Sequence, residues 1–289
     1  VLAPDIVAAA VVNGMTTGAI YALIAVGLTL VYGVLHIINF AHGAILGAAM
    51  FAAYIAFEIG VDPYIALVPL GLLFFGIGYA LQRLVIGPAS HGEDRNVLLV
   101  TLGLSIVIEN LLLAIFTSDT RTIDTPYGFS TIDLGFVFLS TPKAVGFGVA
   151  CVTSLALWAL LSLTDTGKAI RAVAKERVGA ALVGIDPAHI FAVTFGLSAA
   201  CLAIAACLLL PIFYVSPRVG EAYVLIAFTI VVLGGMGSVP GALIGGLGIG
   251  VVESLSGLYF GDSLGQLGVY LIFILVLLVR PTGLFGAAA

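Results

Sequence analysis

Nine apolar runs, separated by short polar or glycine-rich stretches, cover the chain at roughly 6–33, 41–58, 63–86, 97–117, 142–163, 189–214, 222–236, 239–258 and 264–280. A helix needs about 20 residues to cross a hydrocarbon core of about 30 Å, and most of these runs approach that length. They lack the alternation of barrel strands, and backbone amides inside lipid have to be satisfied internally, so the pattern predicts helices. The expected fold is all-α, a polytopic transmembrane helical bundle of eight to nine spans with discontinuous helices, in which residues 1–289 form a single transmembrane domain. The first run is overlong and contains Asn13, Gly14 and Gly18, which predicts a break or an interfacial piece inside it.

Composition supports this reading. Of 289 residues, 62% are hydrophobic and only 9% charged, with 36 glycines, and the mean hydropathy is +1.26. A soluble chain has about a quarter of its residues charged. The runs recur from end to end and leave no stretch for a soluble domain. The opening "VLAPDIVAAA" has an acid and no basic region, so it is expected to be mature sequence rather than a signal peptide. Cys151, Cys201 and Cys207 lie in apolar runs without a Cys-x-x-Cys pair and read as packing residues, not as metal ligands or disulfides.

Placement of the basic residues predicts orientation. Alternating the crossings puts Arg83, Arg95, Lys168, Arg171, Lys175, Arg177 and Arg280 on one face. The opposite face receives Arg121, Lys143 and Arg218 together with Asp5, Glu58, Asp62, Asp119, Asp124, Asp133, Glu221 and Asp262. Residues 164–187 and the C-terminus are therefore expected in the cytoplasm, and the longer loop 118–141 outside. Trp158, Tyr127, Tyr214, Tyr223 and Tyr259 lie near span ends and read as interfacial aromatics.

The stretch "TDTGKAIRAVAKERVGAALVGIDPAHIF" (164–191) concentrates charge in a chain that has little of it. Lys168, Arg171 and Lys175, spaced three and four apart, share one helical side, while Ile170, Ala174, Val178, Ala181 and Leu182 line another. The spacing predicts a short amphipathic helix over about 167–184, stopped by Gly184, with Asp186 and Pro187 opening the next span. From the residues alone, such a helix either lies on anionic lipid or serves as a docking surface for a cytoplasmic partner.

"GAIYALIAVGLTLVYGVLHIINFAHGAILGAAM" (18–50), "GKAIRAVAKERVGAALVGI" (167–185), "VVLGGMGSVPGALIGGLGIGVVESL" (231–255) and "LVLLVRPTGLFG" (275–286) resemble the membrane subunit of branched-chain amino acid ABC importers. The resemblance implies a bacterial-type inner-membrane permease whose segment 164–187 couples to ATPases, through Lys168, Arg171, Lys175, Glu176, Gly184 and Ile185. It also implies two ATP-binding subunits that hold ATP and Mg, a second and related permease subunit, and an extracytoplasmic substrate-binding protein. Within the family, solutes range from hydrophobic amino acids to urea, amides and small carboxylates. The chain itself is expected to bind no cofactor and no nucleic acid, and to have no enzymatic activity. "SLTDTGKA" fails the phosphate-loop pattern, because Ala169 stands where Ser or Thr is needed and the earlier glycine is missing.

Two glycine-rich polar breaks, at 32–50 and 232–250, each join an incoming to an outgoing span and suggest a faint internal repeat. Such interruptions are tolerated at membrane depth where they border a cavity or are buried in protein. Asn39, His42, Gly234, Gly235 and Gly237 are candidates for the translocation path, with close helix packing as the competing role; Gly241, Gly245 and Gly246 read at least as well as packing glycines. Glu109, beside Asn110, and Glu253 fall inside apolar spans, where a carboxylate is costly, and are expected to face the interior as path residues or structural contacts. In the family the position of Glu109 often carries a neutral amide, so a charge there is a departure. His36 and His42 are too far apart along a helix to hold a metal together. Two further classes stay open: a proton- or ion-coupled secondary transporter using Glu109 or Glu253, and a channel or scaffold without an ATPase.

Overall fold

A computed structural model describes residues 4–90, 94–133, 135, 137–261, 264–280 and 283–284. Asp262 and part of the closing motif, including Pro281, Thr282 and Phe285, lie outside the described residues. The helices are α1 (Pro4–Leu35), α2 (His42–Glu58), α3 (Pro63–Ala80), a π-helical continuation (Leu81–Ile86), α4 (Gly87–Ser90), α5 (Asp94–Phe116), α6 (Thr141–Leu163), α7 (Asp165–Lys175), α8 (Arg177–Leu182), α9 (Pro187–Leu209), α10 (Val219–Gly234), α11 (Val239–Phe260) and α12 (Gly265–Val279). A short antiparallel hairpin, β1 (Thr131–Asp133) with β2 (Phe138–Ser140), sits in the loop before α6 and pairs Ile132 with Leu139.

Among the described residues, six helices are long and apolar enough to cross a membrane, including Pro4–Leu35, Pro63–Ala89 and Pro187–Leu209. The remaining three apolar runs fold as the shorter helices His42–Glu58, Val219–Gly234 and Gly265–Val279. The nine apolar runs are thus helical, six as long helices and three as short ones among the described residues. For α2 and α10 the reason is visible: the non-helical segments 36–41 and 210–218 take up part of the bundle's thickness. His42 Nε2 lies 3.0 Å from the carbonyl of Ile24, which is about 16 Å along the axis from the end of α1. The chain therefore climbs back into the bundle before α2 begins.

α1 is the axis of the bundle and packs on α6, α7, α9, α10 and α11. Its predicted internal break does not exist; the helix is continuous from Pro4 to Leu35. Gly14, Gly18 and Ala22 on α1 recur every fourth residue and meet Gly246, Gly250 and Ser254 of α11, which recur in the same way. A Cβ on Gly14 would stand 2.6 Å from the Gly250 carbonyl oxygen, so the backbones touch. Small residues at this spacing hold helices together in lipid, where hydrophobic burial gives no drive. Ser254 Oγ donates to the Ala10 carbonyl at 2.7 Å and fixes the register. Gly43 and Gly220 make the equivalent contact between α2 and α10, and Gly234 and Gly241 between α10 and α11.

α9 is also largely buried, including Cys201 and Cys207, which pack without disulfide partners. By contrast α3, α5, α6 and α12 turn large apolar side chains outward, such as Ile65, Leu72, Leu99, Val152 and Leu278. A belt of this kind fits contact with acyl chains or with another apolar helix.

Helix ends alternate between two faces of the bundle. One carries the hairpin and the start of α1; the other carries α7, α8 and the end of α12. On the hairpin face Asp62 caps α3 by accepting from Tyr64 N–H at 2.8 Å, and its other oxygen accepts from the Tyr127 hydroxyl at 2.8 Å. Arg121 pairs with Val215 as an isolated β-bridge and sets its guanidinium over Tyr54 and Phe116. These contacts tie the long loop to α2, α3 and the end of α9. Tyr223 is not interfacial; it is buried edge-on to Tyr21 and Phe213.

Candidate coupling surface and translocation groove

On the α7 face the charged segment forms two helices, not one. Thr164 accepts from Gly167 N–H through its hydroxyl at 3.1 Å and starts α7, whose apolar side buries Gly167, Ile170 and Val173. Lys168, Arg171 and Lys175 stay on the exposed side, with Lys168 paired to Asp165 at 2.9 Å. At Glu176 the backbone extends (φ −156°, ψ 103°), and the carboxylate accepts from Val178 N–H at 3.1 Å to restart the helix. Beside the break, the Arg177 guanidinium donates to the Leu35 carbonyl at 3.1 Å and stacks 5.1 Å over Phe191.

The break rotates the apolar residues of α8. Val178 (67% exposed), Leu182 (83%) and Val183 (77%) point away from the bundle, whereas the sequence pattern placed Val178 and Leu182 on one apolar side with Ile170, which is buried. Gly184 ends the segment at φ +88°, a backbone conformation that favours glycine. Ile185 packs inward against the core, and Asp186 caps α9 through Ala188 N–H at 2.9 Å while pairing with Arg83 at 3.5 Å. The segment is thus a projecting apolar tip on a cationic stem, fastened to the ends of α1, α6 and α9.

The candidate path residues divide among three places. Glu109 lies in a groove of about 240 Å³ between α2, α5 and α10, accepting from Ser105 Oγ at 3.0 Å. The groove is also bordered by Phe40, Leu102, Glu221 and Leu225. It sits where the first turns of α2 and α10 meet at Gly43 and Gly220. Asn110 is exposed on the other side of α5 and folds its amide back on the Ile106 carbonyl at 2.8 Å.

Asn39 and His42 do not line the groove. Asn39 is 3% exposed and accepts from Ala41 N–H at 3.0 Å, an Asx turn that lets the chain enter α2. His42 is fully buried against Ile24 and Gly27. Gly234 is clamped on Gly241, while Gly235 (φ +93°) and Gly237 (φ +89°) make the turn into α11 at the α7 face. Gly237 borders a cavity of about 400 Å³ with Trp158 and Arg171. Glu253 lies elsewhere, in a cavity of about 460 Å³ near the hairpin face, together with Lys143 and Tyr21.

Residues 10–279 match the family described as the branched-chain amino acid transport system permease component. The chain belongs to this permease family. It is 35% identical to the high-affinity branched-chain amino acid transport system permease BraD of Pseudomonas aeruginosa, over 95% of this chain and 94% of that protein. It is also 35% identical to the permease LivH of Escherichia coli, over 95% and 94%, and 31% identical to the ribose import permease RbsC of Bacillus subtilis, over 92% and 82%. In fold it resembles PsaBC from Streptococcus pneumoniae solved in complex with a Fab, with a TM-score of 0.54 and 14% identity over 93% of this chain and 91% of that one.

The permease is therefore a multi-pass membrane transport protein, as its apolar helices and relatives agree. Sequence reasoning on it missed Phe40, Ser105 and Glu221 in the groove. Ser105 could have been found as the residue one helical turn before Glu109. Glu221 could not, because it stood in the sequence as a loop acid on the hairpin face.

Proposed function

We propose that this permease is the membrane-spanning subunit of an ATP-driven importer for branched-chain or other hydrophobic amino acids. In this reading it pairs with a second, related permease, receives its solute from an extracytoplasmic binding protein and docks two ATP-binding subunits that hold ATP and Mg. The α7 face is cytoplasmic, the hairpin face external, and nine segments cross the membrane once 36–41 and 210–218 are counted with α2 and α10.

The observation that carries this reading is the exposed apolar tip of α8 on a stem fastened to α1 by Arg177 and Leu35. A helix serving only to lie on lipid would put its apolar and cationic residues toward one bilayer; here the apolar tip leads away from the bundle. An ATPase that gripped Val178, Leu182 and Val183 would move the end of α1 with it. Lys168, Arg171, Lys175 and Glu176 then supply the polar rim, and Gly184 with Ile185 the pivot.

The groove at Glu109 supports the path assignment. Two helices that begin inside the bundle meet there, and interrupted helices at such depth mark solute paths in transporters. Glu109 and Glu221 suit an ammonium group, and Phe40, Leu102 and Leu225 suit an aliphatic side chain. The outward apolar face of α5 closes the groove against the second permease.

The test replaces Arg171 and Lys175 with Glu in the assembled transporter and measures ATPase co-purification together with leucine uptake. Loss of both is expected; intact association and intact uptake would refute the coupling assignment. Uptake by the purified chain alone under a pH gradient would favour the secondary-transporter alternative.

A further inference from the structure

The cavity around Glu253 is used by nothing proposed so far. Lys143 in the first turn of α6, Phe213 just past the end of α9 and Gly265 at the start of α12 place it toward the hairpin face. Asn13 and Tyr21 of α1 and Glu253 of α11 form its deeper wall. At about 460 Å³ it falls in the range of small-molecule sites.

Its charges set it apart. The groove at Glu109 is bordered by two carboxylates and no cation, and the cavity at Gly237 by Arg171 and no carboxylate. The cavity at Glu253 alone of the three carries both signs, Lys143 and Glu253. Both are partly buried, yet they form no ion pair with each other; the salt bridges among the described residues are Arg83–Asp186 and Lys168–Asp165. The two act on each other's charge across the cavity and Tyr21 bonds the Glu253 carboxylate, but no direct ion pair closes the gap, which leaves room for a molecule that bridges them. A molecule with an anion and an ammonium on neighbouring atoms meets both at once, through charge-assisted hydrogen bonds. Asn13, also in the lining, donates its amide nitrogen to the Ala9 carbonyl, and its amide oxygen is a further acceptor.

We propose that this cavity binds a small ammonium zwitterion, Lys143 taking the anionic group and Glu253 the ammonium, at a site separate from the groove. The inference rests on the import reading only for the choice of leucine as probe. A free α-amino acid and a phosphatidylethanolamine headgroup share this chemistry.

The test uses the full chain in nanodiscs of phosphatidylglycerol, which has no ammonium, and measures binding of radiolabelled L-leucine. Saturable binding is expected, weakened by about tenfold or more in Glu253→Gln and in Lys143→Met. Isocaproate and isoamylamine, each lacking one charge, should compete far less well than leucine, and in Lys143→Met the amine should compete as well as leucine does. Thermal stability of each variant guards against misfolding, and Glu58→Gln, at the exposed end of α2 and outside both the groove and this cavity, should bind as the parent does. Adding phosphatidylethanolamine separates the sources: retention of that lipid in native mass spectra, lost in the same two variants, keeps the site and makes the lipid its occupant. Binding of neither probe, or binding indifferent to both cavity variants, would overturn the proposal. Leucine binding lost in Glu109→Gln but kept in the cavity variants would overturn it too, while leaving the import reading standing.

Discussion

The Arg177 guanidinium donates to the carbonyl of Leu35, 3.1 Å away, and so joins α8 to the last residue of the longest helix in the bundle. The two residues are far apart in sequence, and their contact ties the charged segment to α1. Replacing Arg177 with Met should leave ATPase co-purification intact and cut uptake by about tenfold, within the range of ordinary coupling energies. Uptake per bound ATPase in proteoliposomes checks this; unchanged uptake would remove the link from the mechanism.

Leu182 is 83% exposed, so Leu182→Asp should leave the melting temperature of the isolated permease unchanged. If the tip is an interface anchor, the same change should weaken ATPase association by about 2 kcal/mol or more. Titration of the ATPase onto immobilised permease separates the two effects.

The glycines should divide sharply by contact. A Cβ on Gly220 would overlap the Gly43 carbonyl, and one on Gly250 would overlap the Gly14 carbonyl and the Gly18 backbone. Ala at either position should cost about 2 kcal/mol or more and lower the melting temperature in detergent. Gly76 in α3 and Gly103 in α5 have open space around that position, and Ala there should be neutral or stabilising by about 0.5–1 kcal/mol.

The Tyr127 hydroxyl donates to Asp62 at 2.8 Å and holds the long loop on α3. Burial first, then the bond to Asp62 and its charge, push the phenol well above its ordinary value near 10. A raised phenol value means that folding favours the protonated form, so this contribution is complete below about pH 10 and is lost as the pH rises through the folded value. Resistance of the loop to proteolysis should be flat between pH 6 and 9 and fall only in stronger alkali. Tyr127→Phe should lower resistance by about 1 kcal/mol across the flat range.

Glu109 should matter by charge sign more than by identity. Glu109→Gln keeps the acceptor for Ser105 and should retain most uptake, whereas Glu109→Lys puts a cation where an ammonium is expected and should abolish it. The KM for leucine, measured in the intact transporter, should rise in the first variant. Equal uptake by the Lys variant would move the path away from this groove.

The sequence by itself determined the helical class, the charged segment 164–187, the interruptions after α1 and after α10, and the caps at Asp186 and Gly184. These depend on composition, spacing and local backbone chemistry, which short stretches of chain contain in full. Tertiary structure decided the rest. His42 and Glu109 looked alike as polar residues in apolar runs, yet one is sealed against Ile24 and the other borders the groove, because rotation about a helix axis is set by which neighbour it packs on. Glu109 and Glu253 parted company for the same reason. The single helix expected at 167–184 is interrupted at Glu176, next to Arg177, whose bond to a carbonyl on α1 is a contact between distant residues that local periodicity does not encode. The unbroken α1 likewise reflects a partner: Gly14 and Gly18 mark not a weak point in the helix but the place where α11 comes close enough for backbones to touch.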